Sequence, residues 1–267
     1  MGVVLANIIA IYRKELQSYF VSPLALAVAG VFWIVSGLVF LLFLFSPTDG
    51  ILAQIAVLQQ MQVADPIDVP YQFLQFFYGD FFGSLSLFFL PMLSMGLYAE
   101  ERKHGTLELL ATSPITNWAV ATGKLLGVVT FYLTMIAPFL LYEALLFRSA
   151  DPAMSPAIPL LCHLGLILLA ASILSLGMFV SSLTDSTILA AILTFVLIFL
   201  LLLFNELASN LTGTWGAAIG HLSLFKHYSN LVQGAIDSSG LILFASYIVL
   251  GIFLTAQSIE ALRFQRS

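Results

Sequence analysis

Residues 187–204 read TILAAILTFVLIFLLLLF, a stretch without a single charged side chain. Since the hydrocarbon core of a bilayer is about 30 Å thick, a helix needs roughly 20 apolar residues to cross it. Backbone groups in lipid must bond within their own segment, so such a span is helical. Five more stretches are similarly long and predominantly apolar. The sequence therefore predicts a single all-α transmembrane domain over residues 1–267, with six spans near 24–45, 81–99, 125–147, 158–180, 187–204 and 241–262.

The composition agrees with a membrane protein and excludes several other classes. Of the 267 residues, 60% are hydrophobic and 9% are charged, and the mean hydropathy is +1.04. A soluble domain carries about 25% charged residues, because its surface faces water. Lysine and arginine together number nine, which leaves no basic face for nucleic acid. The one cysteine excludes an internal disulfide and a four-cysteine metal site.

The distribution of basic residues predicts the orientation of the chain. Cytoplasmic loops of membrane proteins carry an excess of lysine and arginine. In a six-span topology, only Arg148 and Lys226 fall on one side. Seven fall on the other: Arg13, Lys14, Arg102, Lys103, Lys124, Arg263 and Arg266. We therefore expect a multi-pass protein of the inner (plasma) membrane with both termini in the cytoplasm.

Residues 4–20, ahead of the first span, have the pattern of an amphipathic helix. Their apolar side chains recur at helical spacing, and polar side chains gather on the opposite face. Such a segment lies in the headgroup plane as an interfacial helix, although it could also simply flank the first span. The apolar positions are Leu5, Ile8, Tyr12, Leu16 and Tyr19.

Two long connections are predicted on the outer side, and neither has an assigned role. Residues 46–80 contain no lysine or arginine, and they include a helical stretch at 51–62 and an aromatic run from Tyr71 to Phe82. Residues 205–240 form the second connection. Both could fold onto the membrane surface as short amphipathic or re-entrant helices.

The longest cytoplasmic connection, residues 99–124, begins with the segment 99–117, AEERKHGTLELLATSPITN. Gly105 tolerates left-handed dihedrals and can end the incoming helix. Thr106 can then cap a new helix, with Glu108 in its favourable first turn, and Ser113-Pro114 ends it. This short helix carries Leu107, Leu109 and Leu110. Three leucines among charged residues either dock against a partner or pack on their own bundle, and the pattern alone leaves both open.

These residues resemble the first cytoplasmic loop of ABC-2 type permeases. The matching motifs are Glu100–Leu110, Thr112–Pro114 and Gly123-Lys124. Arg13–Leu16 with Ser22-Pro23 is similar to the family's elbow helix, Ser182–Asp185 to its second cytoplasmic turn, and His227–Asn230 with Gly234–Asp237 to the stretch before its last span. The closest similarity is to the subgroup associated with gliding motility and nitrous oxide reductase maturation. The resemblance covers about residues 5–264, although the cation-free loop 46–80 departs from the family pattern.

The resemblance implies a type V exporter-like fold and a division of labour between chains. Two permeases would pair with two cytoplasmic ATPases. The second permease would be another copy or a related chain, and an extracytoplasmic accessory protein is conceivable. The elbow helix 4–20, the coupling loop 99–117 and the turn 181–186 would contact the ATPase. The implied coupling residues are Arg13, Lys14, Glu15, Glu100, Glu101, Arg102, Gly105, Thr106, Leu107, Glu108, Leu109, Leu110, Ser113, Pro114 and Asp185.

The chain has no nucleotide-binding motif of its own. A phosphate-binding loop requires G-x-x-x-x-G-K-[ST]. Gly123-Lys124 has Trp118 in place of the first glycine and is followed by Leu125. We therefore expect no directly bound cofactor, with ATP and Mg²⁺ held by the partner ATPase. Leu109→Asp or Glu101→Lys is expected to weaken ATPase association without unfolding the bundle.

Two other classes of protein are weighed against this interpretation. An intramembrane protease is disfavoured because the E-E-x-x-x-R pattern that begins at Glu100 has glycine at position 105, and no G-x-S-x-G or H-E-x-x-H motif is present. A stand-alone secondary transporter or channel would place ionisable groups inside its spans. Glu143, near Arg148, is the acidic residue clearly inside a predicted span. Its role as a structural ion pair or as a substrate or proton site is left open.

Three smaller features carry weaker expectations. His221 and His227 could be imagined as metal ligands, but a spacing of six residues does not place them on one helical face. Cys162 is expected to be an inert packing residue. Pro91 and Pro138 lie within predicted spans and are expected to kink their helices.

Overall fold

The computed structural model describes residues 2–61, 68–107, 115–147, 155–211 and 213–264. Within these ranges all regular secondary structure is helical, and there is no strand. The helices are α1 (Gly2–Val21), α2 (Pro23–Phe45), α3 (Ile51–Gln60), α4 (Val69–Leu74), a π-helical segment (Gln75–Phe81), α5 (Phe82–Ser94), α6 (Gly96–Lys103), α7 (Asn117–Ile136), α8 (Phe139–Phe147), α9 (Ala157–Leu183), α10 (Thr187–Asn210), α11 (Thr214–Leu222), α12 (Leu224–Val232) and α13 (Ser238–Phe264).

Among the described residues, six helical runs are long and apolar enough to cross a bilayer, which confirms the predicted number of spans. They are Pro23–Phe45, Val69–Lys103, Asn117–Phe147, Ala157–Leu183, Thr187–Ala208 and Ser238–Leu262. Because the number of spans is even, α1 and the end of α13 lie on the same side of the bundle. We call this side the terminal face and the other the opposite face. The terminal face is the one that the charge distribution predicts to be cytoplasmic.

The second span begins at Val69, earlier than the sequence predicted, so residues 69–80 are not an outer loop. Their aromatic side chains pack against α2 and α8 instead of lying on the membrane surface. Phe76 contacts Phe43 of α2 with ring centroids 5.4 Å apart, and Phe77 contacts Phe139 of α8 at 5.5 Å. The prediction was wrong here because Asp80 suggested a boundary, whereas the helix continues past it through the π-helical segment. The helical stretch predicted from residue 51 is present as α3.

The amphipathic segment ahead of the first span forms α1, which packs along α7. Two glycines of α7 allow the close approach, because a side chain there would collide with α1. A Cβ atom at Gly123 would lie 2.8 Å from Ile11, and one at Gly127 would lie 2.8 Å from the Cβ of Glu15. Glu15 is the buried residue of α1, whereas Leu5, predicted on the apolar face, is 60% exposed. The inward face of α1 therefore carries a charge.

Span α9 lies at the centre of the bundle and contacts α13 through small residues. Ser172 and Ser175 donate hydrogen bonds to the carbonyl oxygens of Phe244 and Tyr247, at 3.3 and 3.2 Å. A Cβ atom at Gly251 would come within 2.6 Å of the Ser175 backbone. Small residues let membrane helices approach closely, since apolar burial alone does not drive their association in lipid.

Both prolines predicted to disturb their helices lie near interruptions. Pro138 lies in the turn between α7 and α8, and Pro91 lies inside α5, four residues before the junction at Met95. The junction separates α5 from α6 and lies toward the terminal face.

Candidate functional site

A buried lysine joins three helices at the terminal face. The Nζ atom of Lys124 lies 3.0 Å from Glu15 Oε1, 2.9 Å from Glu101 Oε1 and 2.8 Å from the carbonyl oxygen of Leu97. These contacts use all three of its N–H donors. Lys124 is only 2% exposed. We call these four residues the Lys124 clamp, and it ties α1 and α6 to α7.

The charges of the clamp are balanced by a second, exposed lysine. Lys14 Nζ lies 3.3 Å from Glu15 Oε1 and 3.4 Å from Glu101 Oε1, but its side chain is 66% exposed. Partial burial by itself lowers the pKa of Lys14, and the nearby Glu15 and Glu101 carboxylates outweigh it, so the net shift of this pKa is upward. Two lysines and two glutamates give a neutral cluster. The Tyr98 ring adds a cation–π contact, with its centroid 4.9 Å from Lys124 Nζ.

The turn after α6 follows the sequence prediction. Gly105 has a φ of 69°, the left-handed conformation that glycine adopts without strain. The backbone N–H of Thr106 and its hydroxyl both donate to the carbonyl oxygen of Glu101, at 2.9 and 3.2 Å. Leu107 is buried in the bundle core. The sequence left open whether the loop leucines dock against a partner or pack on their own bundle. Leu107 packs on its own bundle.

A serine from α9 forms hydrogen bonds with the backbone at the junction between α5 and α6. The Ser181 hydroxyl donates to the carbonyl oxygen of Met95 at 2.7 Å. It accepts the backbone N–H groups of Tyr98 and Ala99, at 3.1 and 3.0 Å. Insertion of a side chain into the helical hydrogen-bond ladder is a recognised cause of kinks. Ser181 therefore bonds to backbone groups on both sides of the break in the second span.

The first connecting turn is also attached to the second one. Arg102 Nη1 donates to the carbonyl oxygen of Ser182 at 3.0 Å. Asp185, two residues beyond the end of α9, is exposed. The two segments that the sequence analysis linked to a partner protein are therefore joined to each other on the terminal face.

A cleft of about 340 Å³ opens beside the clamp, between α1, the start of α2 and the α5–α6 junction. Its charged lining includes Lys14, Glu15, Glu100 and Glu101. Within the described residues, Glu101 Oε2 is buried and has no hydrogen-bond partner. Tyr19 lines the same cleft and donates to the carbonyl oxygen of Leu93 at 2.8 Å. The cleft therefore connects the elbow segment with the kinked span.

The family model for the ABC-2 family transporter protein matches residues 58–256, well over half of the chain. The chain belongs to the ABC-2 transporter family. The permease is thus a membrane transport component and not a nucleotide-binding domain. The matched range contains Glu101, Lys124 and Ser181, whereas Glu15 lies before it. No curated protein matches the permease in sequence.

The described coupling residues of the sequence analysis fall into three groups in the permease. Lys14, Glu15 and Glu101 meet at the clamp. A second group, formed by Arg102, Gly105, Thr106 and Leu107, shapes the turn that follows α6. The third group is exposed on the terminal face and consists of Arg13, Glu100 and Asp185.

Five of the predicted coupling residues lie outside the described residues: Glu108, Leu109, Leu110, Ser113 and Pro114. The assignment of the whole set to ATPase coupling stays a prediction. The expectation that Glu101→Lys leaves the bundle folded conflicts with the geometry, because Glu101 accepts a hydrogen bond from the buried Lys124. A lysine there would place two cations side by side.

Sequence reasoning missed the two residues that organise the site. The third span was predicted to begin at residue 125, which places Lys124 just outside it. In the structure the helix begins at Asn117, capped by the Thr116 side chain, and Lys124 lies well inside it. A lysine within a buried helix requires a partner carboxylate, which is the signal that could have found the clamp. Ser181 gave no such signal, since its role depends on a break in another helix.

The two histidines of the opposite face are engaged in local contacts. His227 Nε2 lies 3.2 Å from the carbonyl oxygen of His221, and its Nδ1 atom lies 4.0 Å from Asp237 Oδ2. Hydrogen bonds from Ser239, with a smaller effect of these histidines, lower the pKa of Asp237. These contacts give His227 a structural role that requires no metal.

Proposed function

We propose that the permease is the membrane subunit of an ATP-driven exporter in which a separate cytoplasmic ATPase supplies the energy. The observation that carries this proposal is the match to the ABC-2 family, together with the Lys124 clamp. Export, the partner ATPase and the cytoplasmic position of the termini are all part of the proposal. ATP and Mg²⁺ would be bound by the partner, which contributes the hydrolysis.

The geometry supports a route for mechanical coupling. An ATPase that moves the turn after α6 would act on Glu101, which is attached through Lys124 to α1 and α7. The same motion would act on the kink at Met95, which Ser181 attaches to α9. Packed interfaces and hydrogen-bonded breaks tend to switch between discrete arrangements, so a small displacement at this face can reposition whole spans.

The docking surface that we propose consists of exposed charged residues around the clamp. Arg13, Lys103, His104 and Asp185 all lie exposed on the terminal face. Exposed charges at an interface mainly set specificity and association rate. The apolar side of α10 is largely exposed as well, including Leu193, and similar faces occur on α2 and α13. These faces suit lipid and a second permease, either an identical copy or a related chain.

Affinity purification of the tagged permease in mild detergent, followed by an ATPase assay, tests the proposal. We expect a stoichiometric ATPase with the wild type and a reduced ratio with Lys103→Glu. Lys226→Glu is the matched control, because Lys226 is an exposed lysine on the opposite face. Leu109→Asp remains a useful second probe of the loop. Equal ATPase recovery with the Lys103 and Lys226 variants would contradict docking at this face.

The alternative is a stand-alone secondary transporter or channel, for which the clamp would be purely structural. Absence of any ATPase from the wild-type eluate, repeated in nanodiscs, would favour that alternative. An extracytoplasmic accessory protein would be identified in the same eluates as a second stoichiometric band. The substrate class is a separate question, because the clamp holds the bundle together and provides no chemistry that selects a cargo.

A further inference from the structure

A second buried polar cluster lies toward the opposite face, far from the clamp along the chain. It consists of Tyr78 in the π-helical segment, Glu143 in α8 and His163 in α9, which we call the Tyr78 triad. The Tyr78 hydroxyl lies 2.7 Å from Glu143 Oε1 and 2.9 Å from His163 Nε2. Tyr78 is 1% exposed and Glu143 is 6% exposed. The sequence placed Glu143 near Arg148 and left its role open, and Arg148 lies outside the described residues. Within them, His163 Nε2 lies 3.8 Å from Glu143 Oε1, and the two form an ion pair only when His163 is protonated.

The contacts of His163 restrict where its protons can be. The Nδ1 atom lies 2.9 Å from the carbonyl oxygen of Pro159. A carbonyl oxygen can only accept, so Nδ1 carries a proton. A flipped ring would place carbon atoms at both contacts, so the orientation with two hydrogen bonds is the one that satisfies the site. The state of Nε2 then depends on the tyrosine that faces it.

Tyr78 has one hydroxyl proton and two partners, so only two arrangements satisfy both contacts. In the first, His163 is an imidazolium that donates from Nε2 to Tyr78 Oη, and Tyr78 donates to the Glu143 carboxylate. In the second, protonated Glu143 donates to Tyr78 Oη, and Tyr78 donates to neutral His163. The two forms contain the same number of protons. They interconvert when one proton leaves Nε2 for Oη while the hydroxyl proton moves from Oη to Oε1.

Removal of one proton from the triad breaks one of these contacts. With Glu143 ionised and His163 neutral, the hydroxyl can satisfy either the carboxylate or the imidazole. The remaining pair then brings two acceptors together, and an unpaired buried polar group is costly. The short distances to both partners therefore correspond to the proton-loaded form. The triad binds a proton as a unit, so its affinity belongs to the cluster and not to one residue.

We propose that the Tyr78 triad is a proton-binding site that fixes the π-helical segment Gln75–Phe81 against α8 and α9. The segment is also attached to α12, because the Tyr228 hydroxyl donates to the carbonyl oxygen of Tyr78. Short π-helical turns inside longer helices occur frequently at functional sites. Loss of the proton releases Tyr78 from either α8 or α9. The opposite end of the second span is thereby made sensitive to pH.

Among the described residues, the thiol and phenol groups that interact within this cluster are neutral in the physiological range. They are Cys162 of α9, whose thiol donates to the carbonyl oxygen of Val232 at 3.6 Å, together with Tyr228 of α12 and Tyr132 of α7. Thiols and phenols ionise well above neutral pH in their ordinary state. Glu143 and His163 are therefore the groups of this cluster whose charge can change near neutral pH.

Nitrogen NMR of the full chain, labelled with ¹⁵N-histidine in nanodiscs, tests the proposal. The His163 signals are identified by their loss in His163→Gln and followed from about pH 5 to about pH 9. We expect Glu143→Gln to move the His163 titration to lower pH by at least about one unit, roughly a tenfold loss of proton affinity. Tyr78→Phe should lower it in the same direction. His104→Gln, which removes an exposed histidine of the terminal face, should leave it unchanged.

Hydrogen exchange of residues 75–81 in the wild type provides the second measurement. We expect protection to fall as pH rises through the His163 midpoint, after correction for the intrinsic exchange rate. Identical His163 midpoints in the wild type, Glu143→Gln and Tyr78→Phe would overturn the proton site. Protection of residues 75–81 that does not follow the midpoint would overturn its link to the π-helical segment. Both measurements use the permease alone, so neither depends on the proposed ATPase partner.

Discussion

Replacement of Lys124 by methionine removes the one cation that is buried within the clamp. Methionine approximates the length of the lysine side chain and leaves the packing against α1 and α6 largely intact. Glu15 and Glu101 then face each other, although Lys124 had held both within 3.0 Å of its Nζ atom. Breaking a buried ion pair by removal of one partner costs about 3–5 kcal/mol. Lys14 is already within 3.4 Å of both carboxylates and can move closer, so we expect the lower half of that range.

Thermal unfolding in detergent measures this loss. By the scaling for domains of this size, the expected loss of about 3–4 kcal/mol lowers Tm by about 6–16 °C. The triple variant Lys124→Met with Glu15→Gln and Glu101→Gln removes every clamp charge, and replacement of a whole buried ion pair is often neutral. We therefore expect the triple variant to recover most of the Tm lost in the single variant.

Lys103→Met is the matched control for this experiment. Lys103 is an exposed lysine of the same face, and substitution of such a residue changes stability by less than about 0.5 kcal/mol. A Lys124→Met protein as stable as the Lys103→Met protein would refute the clamp. A triple variant no more stable than the single variant would show that the loss comes from packing and not from unpaired carboxylates.

Three further substitutions test the close contacts between spans. Ser181→Ala should lower stability by about 1–3 kcal/mol, because two buried N–H groups, including that of Tyr98, lose their acceptor. Thermal unfolding measures this loss of stability. Ser182→Ala is the control, because the Ser182 hydroxyl bonds within its own helix. Gly251→Ala should cost about 1–3 kcal/mol through overpacking against the α9 backbone, and an unchanged Tm would contradict that contact. Gly30→Ala meets nothing within 4 Å and should be neutral or stabilising by up to about 1 kcal/mol in the same assay.

The spans could be predicted because the requirement for internal backbone hydrogen bonding acts on every residue in lipid. An unbroken apolar run such as 187–204 meets this requirement by forming a helix, so its helical state and approximate bounds follow from composition. Boundaries were less predictable where polar residues continue a helix. Asp80 and Lys124 both suggested the end of a span, and both lie within continuous helical runs. A polar side chain marks a boundary only when water, and not a partner in the bundle, satisfies it.

The turn at Gly105 was predictable because its chemistry is local. A glycine between a charged helix end and a threonine specifies a left-handed residue without knowledge of the remaining fold. The clamp and the Tyr78 triad depend instead on side chains far apart in sequence, such as Glu15 and Lys124. The number of residues between such partners follows no helical period, so the sequence pattern does not indicate which residues pair. The polar residues could be identified from the sequence as unusual in an apolar span, but the choice of partner required the packing of α1, α8 and α9.

The second span, Val69–Lys103, takes part in the Lys124 clamp, the Ser181 contacts and the Tyr78 triad. It carries Tyr78 in its π-helical segment, the kink at Met95 and Glu101 at its terminal-face end. Two of these points are held by α9, through His163 and Ser181. Because α9 is the more central span, its serine and histidine act as fixed points against which the second span can move. A force applied at Glu101 would reach Tyr78 only if the kink transmits it. Ser181→Ala should therefore uncouple the two ends of the second span. The test compares the effect of Glu101→Gln on the His163 titration in two backgrounds. A titration that responds in the wild-type background but not in the Ser181→Ala background would support this transmission.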